Sequence, residues 1–248
     1  EQIDSIIRLI KREVVPAIGC TEPAAVSLCV AKATETLGKR PEKINLRLSG
    51  NIIKNAMGVG IPGTGMIGLP IAVALGALVG KSEYGLEVLR DVDSAAIEAG
   101  KQYIAEDRIR IDHHKNPPSI LHIEVEVEAD GHKAFAVISG SHTNFIRIEK
   151  DGEVLFEKSC DQAAAGECDE ELNEAMVYEF ATTAPIEKIR FILEAATMNR
   201  HAAELALNKN FGHCLGSVIR SDGRRIFGDT PLERIISTTS AACDARMG

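Results

Sequence analysis

The sequence predicts an α+β fold: an antiparallel β-sheet with hairpins and helices in the first part, and a predominantly α-helical region towards the C-terminus. Three observations carry this. Ile120–Ala129 and Lys133–Ser139 alternate apolar and polar residues and are joined by Asp130-Gly131, a dipeptide suited to a two-residue hairpin turn. Thr143–Lys150 and Glu153–Phe156 repeat the device around Asp151-Gly152. Beyond the polar stretch Ser159–Cys168 the apolar spacing becomes helical and stays so to the end.

The elements follow in order. Ile3, Ile6, Ile7, Ile10 and Val14 recur at helical spacing and predict an amphipathic helix ending near Pro16. A second helix starts after Cys20, with Thr21 as N-cap, Glu22 and Pro23 in the first turn and Gly38 at the far end. Lys43–Ser49 alternates Ile44, Leu46 and Leu48 and reads as a strand. A glycine-rich segment then leads into a small-residue helix over Ile71–Val79, with Gly80 as C-cap. Helical patterns follow at Tyr84–Arg90 and Ser94–Ala105, and His113–Ser119 is a polar loop. After the hairpins, helices are expected at Glu170–Phe180, Ile186–Asn208 and from Pro231 onward. This divides the chain into an α+β region, 1–158, and a helical region, 159–248, the start of a larger helical domain.

Composition narrows the function. The chain has 248 residues, 45% hydrophobic and 26% charged, with 4% aromatic and no Trp, so Ala, Val, Ile and Leu must build the core. A net charge of −8 argues against a nucleic-acid partner, which needs a basic face. The most apolar stretch, Met66–Val79, is too short to cross a bilayer. No basic-then-apolar leader opens the chain, and a cytoplasmic location is expected. Six cysteines, Cys20, Cys29, Cys160, Cys168, Cys214 and Cys243, include no Cys-x-x-Cys pair, which fits free thiols better than a disulfide framework. Starting at Glu1 without Met and stopping at Gly248, the sequence reads as a fragment.

Four phrases can carry chemistry. In Gly19-Cys20-Thr21-Glu22-Pro23 the cysteine faces the positive end of a helix, a setting that favours thiolate. A thiol merely packed in a turn is the plainer alternative. Ser49-Gly50-Asn51-x-x-Lys54-Asn55 leads into Gly58-Val59-Gly60-Ile61-Pro62-Gly63-Thr64-Gly65, where converging backbone N–H groups could hold a carboxylate or phosphate. Close packing of two backbones explains those glycines equally well. Gly58, Gly60 and Gly63 match the spacing of a dinucleotide loop, but they do not directly follow the strand, and Pro62 interrupts the helix start. Ser139-Gly140-Ser141-His142-Thr143-Asn144 sits at a turn, with one imidazole among hydroxyls and an amide. A turn also uses Ser and Asn for its own hydrogen bonds. Thr182 and Thr183, in Phe180-Ala181-Thr182-Thr183-Ala184-Pro185, read as capping residues. The remaining histidines look weaker: His113 and His114 fall in a polar loop, and His122 and His132 in or beside strands. No His-x-x-x-His spacing argues for zinc.

Taken together, GCTEPAA, SGNIIKNAMGVGIPGTGMIGLPIA, SHTNFIRIEKDGEVLF, FATTAPIEKIRFILEAA and the closing DARMG resemble the L-cysteine desulfidase family, over nearly the whole chain. That family is related to the α chain of iron–sulfur L-serine dehydratase, and many of its members carry only an uncharacterised-family label. The resemblance implies a lyase that releases sulfide from L-cysteine, or water from L-serine, leaving pyruvate and ammonia. It implies a [4Fe–4S] cluster held by three cysteines, with one iron open to substrate, and no pyridoxal phosphate.

By position, Cys20 matches the family's early cysteine, either cluster ligand or catalytic thiolate; His142 belongs to a phrase similar to the family's carboxylate-binding segment and is the second catalytic candidate. Ser141, Thr143 and Asn144 match a carboxylate-binding phrase. Ser49, Asn51, Lys54, Asn55, Gly60, Gly63 and Thr64 match the polar run and glycine loop that would bind the amino-acid substrate. Family chains continue past the equivalent of DARMG into a cysteine-bearing segment that is absent here. Cys29, Cys160, Cys168, Cys214 and Cys243 match no family ligand, although Cys160 and Cys168 lie close together in a polar stretch. The remaining ligands are therefore expected outside this chain, which alone would be inactive. Its exposed helices would promote self-association or pairing with a missing C-terminal half.

Overall fold

A computed structural model describes residues 2–16, 19–158, 172–209, 211–228 and 230–247. The chain divides into two compact units, residues 17–164 and residues 1–16 with 165–246. Cys160 and Cys168 fall outside the described residues.

The fold is α+β. In the first unit, α2 (Thr21–Leu37), β1 (Lys43–Leu48), α3 (Gly50–Ala56), β2 (Gly60–Ile61), β3 (Met66–Ile67) and α4 (Leu69–Leu78) come first. A 3₁₀ turn (Ser82–Glu87), α5 (Ser94–Ala105) and β4 (Ile109–His113) follow. Then come β5 (His122–Ala129), β6 (His132–Ser139), β7 (Phe145–Lys150) and β8 (Glu153–Glu157). Six strands form one sheet in the order β4-β1-β5-β6-β7-β8, and β2 and β3 form a separate two-stranded ribbon. All neighbours in the large sheet are antiparallel except β1 and β4.

The hairpins form where the turn chemistry requires. Asp130 and Gly131 both have positive φ (52° and 78°), as do Asp151 and Gly152 (50° and 85°). Two left-handed residues in succession match the twist of the flanking strands. The parallel strand β4 and helix α3 depart from the sequence prediction in this unit; β4 is the larger departure. Its run Ile109-Arg110-Ile111-Asp112-His113 is short and half charged, and it becomes a strand because β1 offers it a free edge.

One face of the sheet carries the core. Ile44, Leu46 and Leu48 of β1 and Ile123, Val125 and Val127 of β5 are fully buried, alternating with polar residues on the other face. Helix α2 covers that apolar face and is buried along most of its length. Helix α4 packs on α2 closely enough that a Cβ at Gly76 would lie 2.7 Å from the Ser27 carbonyl oxygen. Ser27 itself donates its hydroxyl proton to the Ala72 carbonyl oxygen at 2.8 Å. Small residues at this seam bring the two backbones together, which accounts for the Ala- and Gly-rich composition of α4. Helix α5 is anchored by the buried Tyr103, whose hydroxyl donates to the Pro41 carbonyl oxygen at 2.7 Å.

The second unit is helical: α1 (Gln2–Glu13), α6 (Glu174–Thr183), α7 (Ile186–Ile189), α8 (Leu193–Asn208), α9 (Leu215–Phe227) and α10 (Pro231–Met247). A 3₁₀ turn over Arg190–Ile192 interrupts what the periodicity predicted as one helix from Ile186 to Asn208. Helix α9 carries two glycines and was not expected. It forms because α10 receives them: a Cβ at Gly216 would stand 2.5 Å from Ala241, and the Gly216 N–H donates to Asp244 Oδ2 at 2.8 Å. Lys188 and Asp4 pair at 2.8 Å.

Candidate functional site

Two clusters of chemically capable side chains form in the sheet unit. The first starts at the mouth of α2. Cys20 is the N-cap of this helix, one residue ahead of the predicted Thr21, and its side chain makes no capping bond. Instead the half-buried thiol donates to Glu22 Oε2 at 2.9 Å. Thr21 Oγ1 donates to the same oxygen at 3.2 Å, and Asn55 Nδ2 donates to Glu22 Oε1 at 3.0 Å. Glu22 is thus the hub, reached from α2 and α3 together.

The electrostatics correct the expected thiolate. Burial, and then the hydrogen bond to a carboxylate, push the Cys20 thiol from 9.0 up to about 11. Desolvation and a negative neighbour outweigh the helix end, so Cys20 is a protonated thiol at neutral pH. Burial alone would raise Glu22, but the Cys20 thiol, main-chain and Asn55 hydrogen bonds and the nearby His142 together hold it below the usual glutamate value. Behind the sulfur lies an apolar crevice of about 10 Å³, lined by Pro23, Ile61, Pro62, Leu86 and Val88. That is room for about one water molecule, not an amino acid.

Of the other sequence-predicted residues, Asn55 and His142 act on this centre, and the rest have local roles. Asn51 lies one helical turn before Asn55, on the same side of α3, and Lys54 is exposed. Ser49 is buried, donating to the Ile120 carbonyl oxygen at 2.6 Å and accepting from the His122 N–H at 3.3 Å. The glycine loop is the β2–β3 ribbon and its turn. Gly60 lies in β2, and Gly63 is an exposed turn residue at φ 77°. The Thr64 hydroxyl donates to the Ile61 carbonyl oxygen at 2.6 Å and accepts from the Met66 N–H at 3.0 Å. Gly68 is required by a close approach, since a Cβ there would meet the Met57 carbonyl oxygen at 2.8 Å. In the turn after β6, Asn144 Nδ2 donates to the Ser139 carbonyl oxygen at 2.8 Å. Ser141 and Thr143 are exposed and His142 is half-buried.

The second cluster was not anticipated. His114 Nε2 and His122 Nε2 both face Glu124 Oε1, at 3.5 and 3.0 Å. The imidazoles meet edge to face, with centroids 5.2 Å apart. His122 Nδ1 lies 3.0 Å from Ser139 Oγ. Arg47 Nη2 stands against the other oxygen, Glu124 Oε2, at 2.5 Å. Burial acts to raise Glu124, but the His122 hydrogen bond and Arg47 hold it below the normal range. The sequence signal was His122-x-Glu124 in an alternating strand, which sets both side chains on one face. The third member, His114, arrives from the residue just after β4.

Fold and site together describe an α+β domain with a thiol–carboxylate–amide cluster at a helix mouth and a His–Glu–His cluster on its sheet. No family model matches the chain, and no solved structure matches it. Among curated proteins it is similar to the UPF0597 proteins. It is 57% identical over 247 residues to one from Bacteroides fragilis and 57% identical to one from Bacteroides thetaiotaomicron. A more distant one, from Oleidesulfovibrio alaskensis, is 43% identical over 244 residues. The alignments take in 98%, 98% and 97% of this chain and 57% of each relative, so the chain spans little more than half the length of the curated proteins it matches. Among the described residues no helix is long and apolar enough to cross a membrane.

Proposed function

We propose that this chain is the amino-terminal part of a cytoplasmic iron–sulfur lyase of the L-cysteine desulfidase type. It would convert L-cysteine and water to pyruvate, ammonia and sulfide. The α-proton leaves to a base, the β C–S bond breaks, and the aminoacrylate hydrolyses. An L-serine dehydratase reaction is the same elimination with a hydroxyl as leaving group.

The observation that supports this reading is the thiol of Cys20 hydrogen-bonded to the Glu22 carboxylate at 2.9 Å, with Asn55 holding the other oxygen. Asn55 fixes the carboxylate, and Glu22 accepts the thiol's hydrogen bond and orients the sulfur. His142 and the exposed Ser141 and Thr143 supply polar groups suited to a substrate carboxylate. A [4Fe–4S] cluster needs several thiolates, and the described residues of this unit do not supply them. Cys29 is fully buried and its thiol faces the Ala136 carbonyl oxygen at 3.4 Å, so among the described residues of this unit Cys20 alone is eligible. These residues do not fit the cluster by themselves. The further ligands would come from the portion of the longer relatives that this chain does not span, or from a partner polypeptide.

Pyruvate release from L-cysteine and L-serine, measured on a full-length protein after anaerobic cluster reconstitution, tests the proposal. Turnover is expected with at least one substrate, with loss in Cys20→Ala and a fall of about a hundredfold or more in Glu22→Gln. Release of pyruvate from neither amino acid would sink it. A second reading, an amino-acid-binding module without turnover, rests on the described residues of this unit offering one accessible cysteine and no set of cluster ligands. Calorimetric binding of L-serine or L-cysteine to this chain without iron, combined with no turnover at full length, selects that reading.

A further inference from the structure

We infer that His114, His122 and Glu124 form a binding site for a divalent transition-metal ion on the polar face of the sheet, independent of the chemistry proposed at Cys20. Their ligand atoms all lie within 4.8 Å of one another. Both imidazole Nε2 atoms converge on a single carboxylate oxygen, at 3.0 and 3.5 Å. Zinc bonds of about 2.0–2.2 Å put neighbouring ligand atoms of a tetrahedron roughly 3.3 Å apart, so the two histidine–carboxylate distances need little adjustment.

The chemistry of the donor set agrees. Two imidazoles and a carboxylate suit Zn²⁺ and its first-row neighbours, and three protein ligands leave a fourth position open. The surroundings supply the outer support such sites use. With a metal on Nε2, the His122 proton sits on Nδ1 and donates to Ser139 Oγ, 3.0 Å away, fixing the ring. Arg47 contacts Oε2, leaving Oε1 to face the imidazoles.

Hydrogen bonding within the protein does not satisfy the whole cluster. His114 Nδ1 is a buried atom without a hydrogen-bond partner, and an orphaned buried polar atom of this kind commonly marks a water or ion. The side chains are 20%, 3% and 14% exposed for His114, His122 and Glu124, enclosed enough to shed water yet reachable. Of the three, Glu124 borders a hollow of about 330 Å³ that Arg47, Arg110 and Asp112 also line.

The test is titration of chelator-treated protein with Zn²⁺ by calorimetry, and with Co²⁺ by visible spectroscopy, where tetrahedral coordination gives intense bands. One ion per chain is expected. His114→Gln and Glu124→Gln should each weaken binding by more than about tenfold, the loss that even outer-sphere changes cause. Cys20→Ala should leave it intact. His114 is the least buried of the three, so His114→Gln, checked for folding by circular dichroism, carries the decision if the Glu124 variant misfolds. No binding, binding indifferent to His114→Gln, or loss only in Cys20→Ala overturns the inference and leaves the cluster as a hydrogen-bonded His–Glu–His brace.

Discussion

The two units of this molecule are built to opposite standards. In the sheet unit, α2, α4 and the inner residues of β1, β5 and β6 form a continuous core of fully buried aliphatics. In the helical unit the buried cluster among the described residues is Ala203, Ala206 and Ala241, while Tyr178, Ile186, Leu193 and Ile226 are each more than 60% exposed. Burial of apolar area is the main favourable term in folding. The difference teaches that the sheet unit carries its own stability, whereas the helical unit presents the apolar surface that helices show when further protein is needed to cover them.

The largest expected consequence is in thiol labelling. Cys29 in the sheet core is fully buried, and Cys243 in the helical unit is exposed. Cys29 reacts only when the core opens, at a cost of about 5–15 kcal/mol, so mass-spectrometric labelling rates should differ by more than about a thousandfold. Comparable rates would erase the contrast. Next comes truncation. Leu28→Ala, beneath the sheet, should cost about 2–5 kcal/mol in urea unfolding. Leu232→Ala in α10, half exposed, should stay within about 0.5 kcal/mol. Equal losses would show the helical unit to be as well packed as the sheet.

A smaller effect tests the α2–α4 seam. Gly76→Ala adds a Cβ 2.7 Å from the Ser27 carbonyl oxygen and should cost about 1–3 kcal/mol. The smallest sharpens the electrostatics of Cys20. Its alkylation rate should climb with pH to a midpoint of about 11, and Glu22→Gln should move that midpoint down towards 9.0. The linkage has a definite sign. A thiol raised on folding contributes stability below about 9, and that contribution fades as pH rises through about 11. An unmoved midpoint would mean that burial alone sets the shift.

Much of this was legible from local pattern. The Asp130-Gly131 and Asp151-Gly152 hairpins, the Ser94–Ala105 helix and the Gly38 stop each depend on residues within one turn of themselves. Strand β4 was not legible, because a short charged run becomes a strand only beside β1. Glu22 was read as a first-turn helix residue, and only Asn55, arriving on α3, turns it into a hub. His114 and His122 seemed unremarkable because the polar loop and strand holding them share no regular spacing.

The amino-acid order by itself determined the α+β class, the hairpin registers and the presence of a cysteine at a helix mouth, since turn chemistry and apolar periodicity act between near neighbours. Tertiary structure alone decided the protonation of Cys20 and the meeting of His114, His122 and Glu124. Both depend on desolvation and on partners brought from distant strands and helices, and those quantities exist only once the chain has folded.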